Sequence, residues 1–183
     1  MPAKRGRSAR STSQGLLTIL FTDLEGSTAM TQRLGDARAQ DVLHVHNSIV
    51  RAALNRLEGS EIKHTGDGIM ASFASATRGL ECAVAIQRAL AAHNASAPDS
   101  VIHVRIGLNA GEPVAEDSDL FGTAVQIAAR VCEHAQPDQI LVSNVVRELA
   151  SGKGFLFSDR GDSVLRGFED PVRLFEVRWS PGD

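Results

Sequence analysis

The chain has 183 residues, 43% of them hydrophobic and 22% charged, with a formal net charge of -3. That length fits one domain able to bury a continuous core, and the composition excludes a disordered polypeptide. No apolar run approaches the roughly 18 to 20 residues of a membrane span, and the N-terminus lacks the apolar segment of a secretory signal, so a cytoplasmic protein with no membrane segment is expected.

The first fourteen residues, MPAKRGRSARSTSQ, hold Lys4, Arg5, Arg7 and Arg10 and no acid. They lack an apolar face and interleaved aromatics, so residues 1–14 are expected to be a disordered basic tail and 15–180 the folded domain, with no nucleic-acid partner. Residues 16 to 22 then read as a buried strand ending on the polar stretch FTDLEGST, Phe21 to Thr28. Apolar residues at Val42, Val45, Ile49, Ala53 and Leu57 predict one amphipathic helix running from STAM to Gly59. The segment EIKHTGDGIMASF predicts a hairpin turning at Asp67-Gly68.

A second helix is expected over Ala76 to His93, with Leu80, Ala83, Val84, Ile86 and Leu90 as its buried stripe. VIHVRIGLNAGEPVAE reads as two strands bent at Gly111, and LFGTAVQIAARVCEHA as a third helix. QILVS, a short helix near NVVRELA and strands at GFLFSD and VRLFEVRW close the chain. The expected fold class is α+β: a ferredoxin-like split βαβ (βαββαβ) sheet with helices on one face and C-terminal additions. Cys82 and Cys132 are isolated in helix-like sequence and read as buried, reduced thiols; His44 and His46 fall on different helix faces and lack ligand spacing.

Asp23 at a strand end and Asp67 at a hairpin tip are the carboxylates this fold can bring together, and hard cations such as Mg²⁺ take oxygen ligands of this kind. An ordinary polar turn and a common Asp-Gly hairpin account for the same residues equally well. EGST offers backbone amides and hydroxyls ahead of a helix, a suitable anion cradle that lacks the lysine of a Walker A loop, with Arg105 a candidate further cation. On the third helix, Gln126 and Arg130 are four residues apart on one face behind Asp119. There Arg130 can stabilise phosphate charge, or the helix is simply amphipathic with Asp119 as its cap.

Taken together, FTDLEGST, KHTGDG, VRIGLNAGE, DLFGTAVQIAAR and LRGFEDPVRLFEV resemble the class III nucleotidyl cyclase catalytic domains, in the family's order and spacing, over about residues 16 to 179. The resemblance implies that Asp23 and Asp67, helped by the Leu24 carbonyl, hold two Mg²⁺ or Mn²⁺ ions. It implies that Gly26, Ser27, Thr28 and Arg105 hold the triphosphate and that Lys63 and Asp119 read the purine, a pair of the adenine-selecting type. Arg130 matches the transition-state arginine, Gln126 stands where the family usually has a ribose-positioning asparagine, and Arg166 stands where a lysine commonly contacts the terminal phosphates. The implied activity is that of an adenylate cyclase, converting ATP to 3′,5′-cyclic AMP and pyrophosphate in a homodimer whose sites straddle the interface. A guanylate cyclase and a catalytically weak nucleotide-binding signalling module are the alternatives. Regulation is expected from a domain or protein outside this chain.

Overall fold

The computed structural model describes residues 12–13 and 15–180. The expected disordered tail over 1–14 lies outside the described residues, apart from Thr12 and Ser13. In chain order the elements are β1 (Thr12–Ser13), β2 (Leu17–Leu24), α1 (Ser27–Leu34), α2 (Asp36–Arg56), β3 (Ser60–His64), β4 (Ile69–Phe73), α3 (Ala76–Ser96), β5 (Val104–Gly111), β6 (Val114–Glu116) and β7 (Asp119–Phe121). They continue as α4 (Thr123–His134), β8 (Ile140–Ser143), α5 (Asn144–Leu149), β9 (Phe157–Ser163) and β10 (Val172–Val177).

The main sheet has seven strands in the order β3-β4-β2-β5-β8-β10-β9. Its β3-β4-β2-β5 half is antiparallel throughout, with β2 between β4 and β5, which is the expected split βαβ order. β8 then joins β5 in parallel, and β10 and β9 extend the sheet as the C-terminal additions. A three-stranded sheet, β1-β6-β7, stands beside it. No helix among the described residues is long and apolar enough to cross a membrane.

Both faces of the central strands are covered, which is why β2 and β4 are apolar without alternation. Leu20 and Leu24 on β2 and Val104, Ile106 and Leu108 on β5 pack with Val50 and Leu54 of α2 and Leu80, Ile86 and Leu90 of α3. Each such fully buried side chain contributes about 1.5–3 kcal/mol from burial. The alternate positions face the other way: Ile19 and Met70 pack with Ala128 of α4, and Val131 of α4 packs with Leu141 and Leu174. The expectation of helices on one face is therefore corrected, because α4 covers the opposite face.

The physical reason lies in the alternate residues of β5, Arg105, Gly107, Asn109 and Gly111. A Cβ at Gly107 would stand 2.2 Å from the Cys132 nitrogen, and one at Gly111 would stand 2.7 Å from the Ala124 Cβ. Only glycine lets α4 lie this close. Asn109 fixes the start of the helix by donating to the Ala124 carbonyl at 3.0 Å, and accepts a buried 2.6 Å bond from the Ser143 hydroxyl.

Two local expectations also change. The single helix predicted from Ser27 to Gly59 is two helices, divided at Gly35 with φ 79 and ψ 164, a conformation that L residues avoid. The Gly35 amide closes α1 on the Thr31 carbonyl while its own carbonyl accepts from Ala39 to open α2. Asp119 belongs to strand β7, and the residue before α4 is Gly122 at φ 107, so Asp119 is free of any helix-capping duty.

Candidate active site

Asp23 and Leu24 are the last two residues of β2, and Asp23 stands directly opposite Arg105 on β5. Arg105 donates from Nε to Asp23 Oδ2 at 2.7 Å and from Nη1 to the Glu133 carbonyl at 3.0 Å. The arginine expected to hold triphosphate is thus already engaged with the expected metal carboxylate. Leu24 packs its side chain into the main core, which anchors the strand end.

The β3–β4 hairpin brings up the second carboxylate. Its turn closes with the Thr65 amide donating to the Gly68 carbonyl at 3.0 Å, with Gly66 at φ 83. A Cβ at Gly68 would stand 1.9 Å from the Thr22 carbonyl oxygen, so the hairpin tip rests on the backbone of β2. The buried Thr22 hydroxyl locks it there by accepting from the Ile69 amide at 3.0 Å.

Asp67 thereby reaches Asp23. Burial pushes the Asp23 carboxyl above its ordinary value; Arg105 opposes this, and Asp67 adds to it through a hydrogen bond and through its charge. Two acids crowded at one strand end, with more negative charge than one arginine balances, suit a hard divalent cation with oxygen ligands. A cavity of about 400 Å³ opens on Asp23, Thr65, Arg105, Ala129 and Glu133.

Gly26, at φ 64, turns the chain into α1, whose first turn has no capping side chain, so its amides stay available to an anion. A smaller cavity of about 190 Å³ is lined by Leu24, Ser27, Thr28 and Asp67, which puts the loop beside the hairpin tip.

Lys63 Nζ lies 2.5 Å from Asp119 Oδ2, and Asp119 Oδ1 accepts from the Leu120 amide at 2.8 Å. The Lys63 hydrogen bond is the main reason that the Asp119 carboxyl lies below its ordinary value. Lys63 is also 5.5 Å from the centre of the exposed Phe121 ring. It pairs with Met70, whose side chain packs against Ala128 of α4, so Lys63 and Asp23 share the α4 side of the sheet.

On α4, Arg130 donates from Nη1 to Glu133 Oε1 at 2.6 Å and from Nε to the Arg166 carbonyl at 3.2 Å. Arg166 reaches the same Glu133 oxygen at 3.5 Å. Gln126 is exposed one turn earlier and joins none of these clusters among the described residues. The structure therefore brings the expected residues into three groups, Asp23 with Asp67 and Arg105, Lys63 with Asp119, and Arg130 with Arg166. Thr22, Phe121 and Glu133 were not anticipated. Only Glu133 carried a readable signal, its spacing of three from Arg130 on a helix.

The sequence profile described as "Adenylate and Guanylate cyclase catalytic domain" matches residues 10–178. A Rhizobium meliloti protein named "Putative adenylate cyclase 3" is 34% identical over 170 residues, covering 92% of this chain and 29% of that protein. An uncharacterised Mycobacterium tuberculosis protein is 32% identical over 163 residues, covering 89% of this chain and 41% of its own length. The chain thus spans well under half of these relatives. The crystal structure of an adenylate/guanylate cyclase/hydrolase from Silicibacter pomeroyi superposes with a TM-score of 0.80 at 30% identity, covering 92% of this chain and 98% of that one. The guanylyl cyclase Cya2 shares the fold at a TM-score of 0.82 and 24% identity, covering 91% of this chain and 93% of that one. With a matched profile spanning nearly its whole length, the chain belongs to the adenylate and guanylate cyclase catalytic domain family.

Proposed function

We propose that this chain is an adenylate cyclase catalytic domain that converts ATP to 3′,5′-cyclic AMP and pyrophosphate as a homodimer with shared sites. The observation that carries the cyclase reading is the meeting of Asp23 and Asp67 beside the Gly26–Thr28 loop. Asp23 and Asp67, with the Leu24 carbonyl, would hold Mg²⁺ or Mn²⁺, two ions per site, and these supply Lewis-acid activation of the ribose hydroxyl and neutralise phosphate charge.

The chain's own groups do the rest by position and charge. The α1 amides with Gly26, Ser27 and Thr28 cradle the triphosphate, Arg105 offers it the donors that Asp23 leaves free, and Arg166 meets the terminal phosphates. Gln126 orients the ribose. Arg130 stabilises the charge that builds as the ribose 3′-oxygen bonds to the α-phosphorus and the bond to the bridging oxygen breaks, releasing pyrophosphate. Each site takes its acids from one protomer and Lys63, Asp119, Gln126 and Arg130 from its partner, so one chain alone has no complete site.

The Lys63–Asp119 pair favours ATP. An ammonium donates to adenine N1 while the carboxylate accepts from the 6-amino group, whereas guanine presents O6 and N1–H. Turnover with ATP and with GTP, each with Mn²⁺, tests this choice. A higher kcat/KM for ATP supports it, and a higher kcat/KM for GTP overturns it in favour of a guanylate cyclase.

A further inference from the structure

Three arginines that the proposed reaction uses all end on one acidic residue, Glu133. Its carboxylate Oε1 accepts from Arg130 at 2.6 Å and lies 3.5 Å from Arg166 Nη2, and its main-chain carbonyl accepts from Arg105 at 3.0 Å. Arg130 and Arg166 are joined a second time, by the 3.2 Å bond from Arg130 Nε to the Arg166 carbonyl. This closes a ring of contacts through α4 and the segment that precedes β10. An ordinary helical pair three residues apart links two side chains only, and it leaves both free to swing. Here the Arg130 guanidinium is held at Nε and Nη1 at once, which fixes the plane of its fork.

Two cations also repel each other unless an anion stands between them. Arg166 is highly exposed, at 76% of its side-chain surface, so it has little packing to hold it in place. Glu133 supplies both the anion and the tether. It also borders the cavity that contains the same chain's Asp23, so under shared sites one Glu133 lies beside the acids of one site while holding the arginines its chain lends to the other.

We infer that Glu133 is a positioning residue that presents the Arg130 and Arg166 guanidinium groups to the phosphates as a fixed pair. The inference rests on the cyclase reading and adds to it a residue that acts through the arginines, without touching substrate. A fork held in advance costs no reorganisation when charge develops, so its loss falls on kcat.

The test measures cyclic nucleotide formation from ATP by the full chain and by Glu133→Ala, Glu133→Gln, Arg130→Ala and the double variant Glu133→Ala with Arg130→Ala. Glu133→Gln keeps the shape and an accepting oxygen, which covers the case in which alanine disturbs folding. The expected result is a fall in kcat of about tenfold for Glu133→Ala with KM within about twofold. Glu133→Gln falls less, and Glu133→Ala costs less once Arg130 is gone than it does alone, because the two changes share one unit and only the hold on Arg166 is left to lose. Unchanged kcat in both single variants, a change confined to KM, or additive losses in the double variant would overturn the inference while leaving the cyclase reading intact. No product from the unmodified chain would overturn that reading and the inference together.

Discussion

Lys63 and Asp119 come from separate sheets, 56 residues apart in sequence, and meet in one ion pair 2.5 Å long. The pair is therefore formed within a single chain before any nucleotide arrives. Replacing Lys63 by alanine removes the donor and leaves Asp119 unpaired. Kcat/KM for ATP is expected to fall by about 10- to 100-fold, the worth of one hydrogen bond to a charged group. Steady-state assays at fixed Mn²⁺ check this, and a change below threefold would mean that the pair does not read the base.

The same pair sets a pH dependence. Lys63 depresses the Asp119 carboxyl in the folded chain, so its contribution is present above the ordinary aspartate value and is lost as pH falls through the lowered one. Both side chains are partly exposed, so the effect is about 0–1 kcal/mol. The melting-temperature difference between the unmodified chain and Lys63→Met should favour the unmodified chain at pH 7. It should shrink towards pH 3, and a difference independent of pH would argue against the pair.

Gly68 sets the approach of the hairpin to β2. A methyl group there would meet the Thr22 carbonyl at 1.9 Å, and backbone cannot yield as a flexible side chain can. Gly68→Ala should cost about 1–3 kcal/mol, a drop of roughly 2–12 °C in Tm, and should displace Asp67. Gly15→Ala, with nothing within 4 Å of the added carbon, is the control and should stay within about 0.5 kcal/mol. Calorimetric melting of both variants would show whether the contact matters.

Metal addition offers a test independent of turnover. A cation that binds only the folded chain raises its stability by about 2.7 kcal/mol at one hundred times Kd. Mn²⁺ should raise the Tm of the unmodified chain and have little effect on Asp67→Asn, which keeps the size of the side chain but loses its charge. Equal shifts in both would remove Asp67 from the ligand set.

Shared sites predict complementation. Asp23→Ala and Arg130→Ala chains should each keep only a small residue of activity alone, and a mixture should regain activity because a mixed dimer contains one site with neither change. If mixed dimers form and no activity returns, each site lies within one chain.

Much of the fold was legible because its signals are local. The apolar run into β2, the Asp-Gly turn of the β3–β4 hairpin and the stripe of α3 each need only a few neighbouring residues to be read. The break at Gly35 was not, since the apolar spacing of α2 masks a single glycine whose backbone angles decide the matter. The placement of α4 depended on which of the alternate β5 positions face which layer. Gly107 and Gly111 mark the close approach, yet the sequence does not say which helix makes it.

The candidate site divides in the same way. Asp23, Lys63, Asp67, Asp119 and Arg130 stand in short motifs that each allow a plain structural reading, and only their combined order and spacing, which resemble the family, nominate them as a site. That Arg105 faces Asp23 requires the register of β2 against β5, and that Glu133 gathers Arg130 and Arg166 requires the segment before β10 to fold back onto α4. Contacts set by pairing across the sheet are not written in any one stretch.

The most direct measurement of the central claim is product formation from ATP and Mn²⁺ by the unmodified chain beside Asp67→Ala, with cyclic AMP and pyrophosphate both quantified. The account predicts equal amounts of the two products from the unmodified chain and a loss of at least about 100-fold in the variant. Equal cyclic AMP from both chains, or none from the unmodified chain, would contradict it.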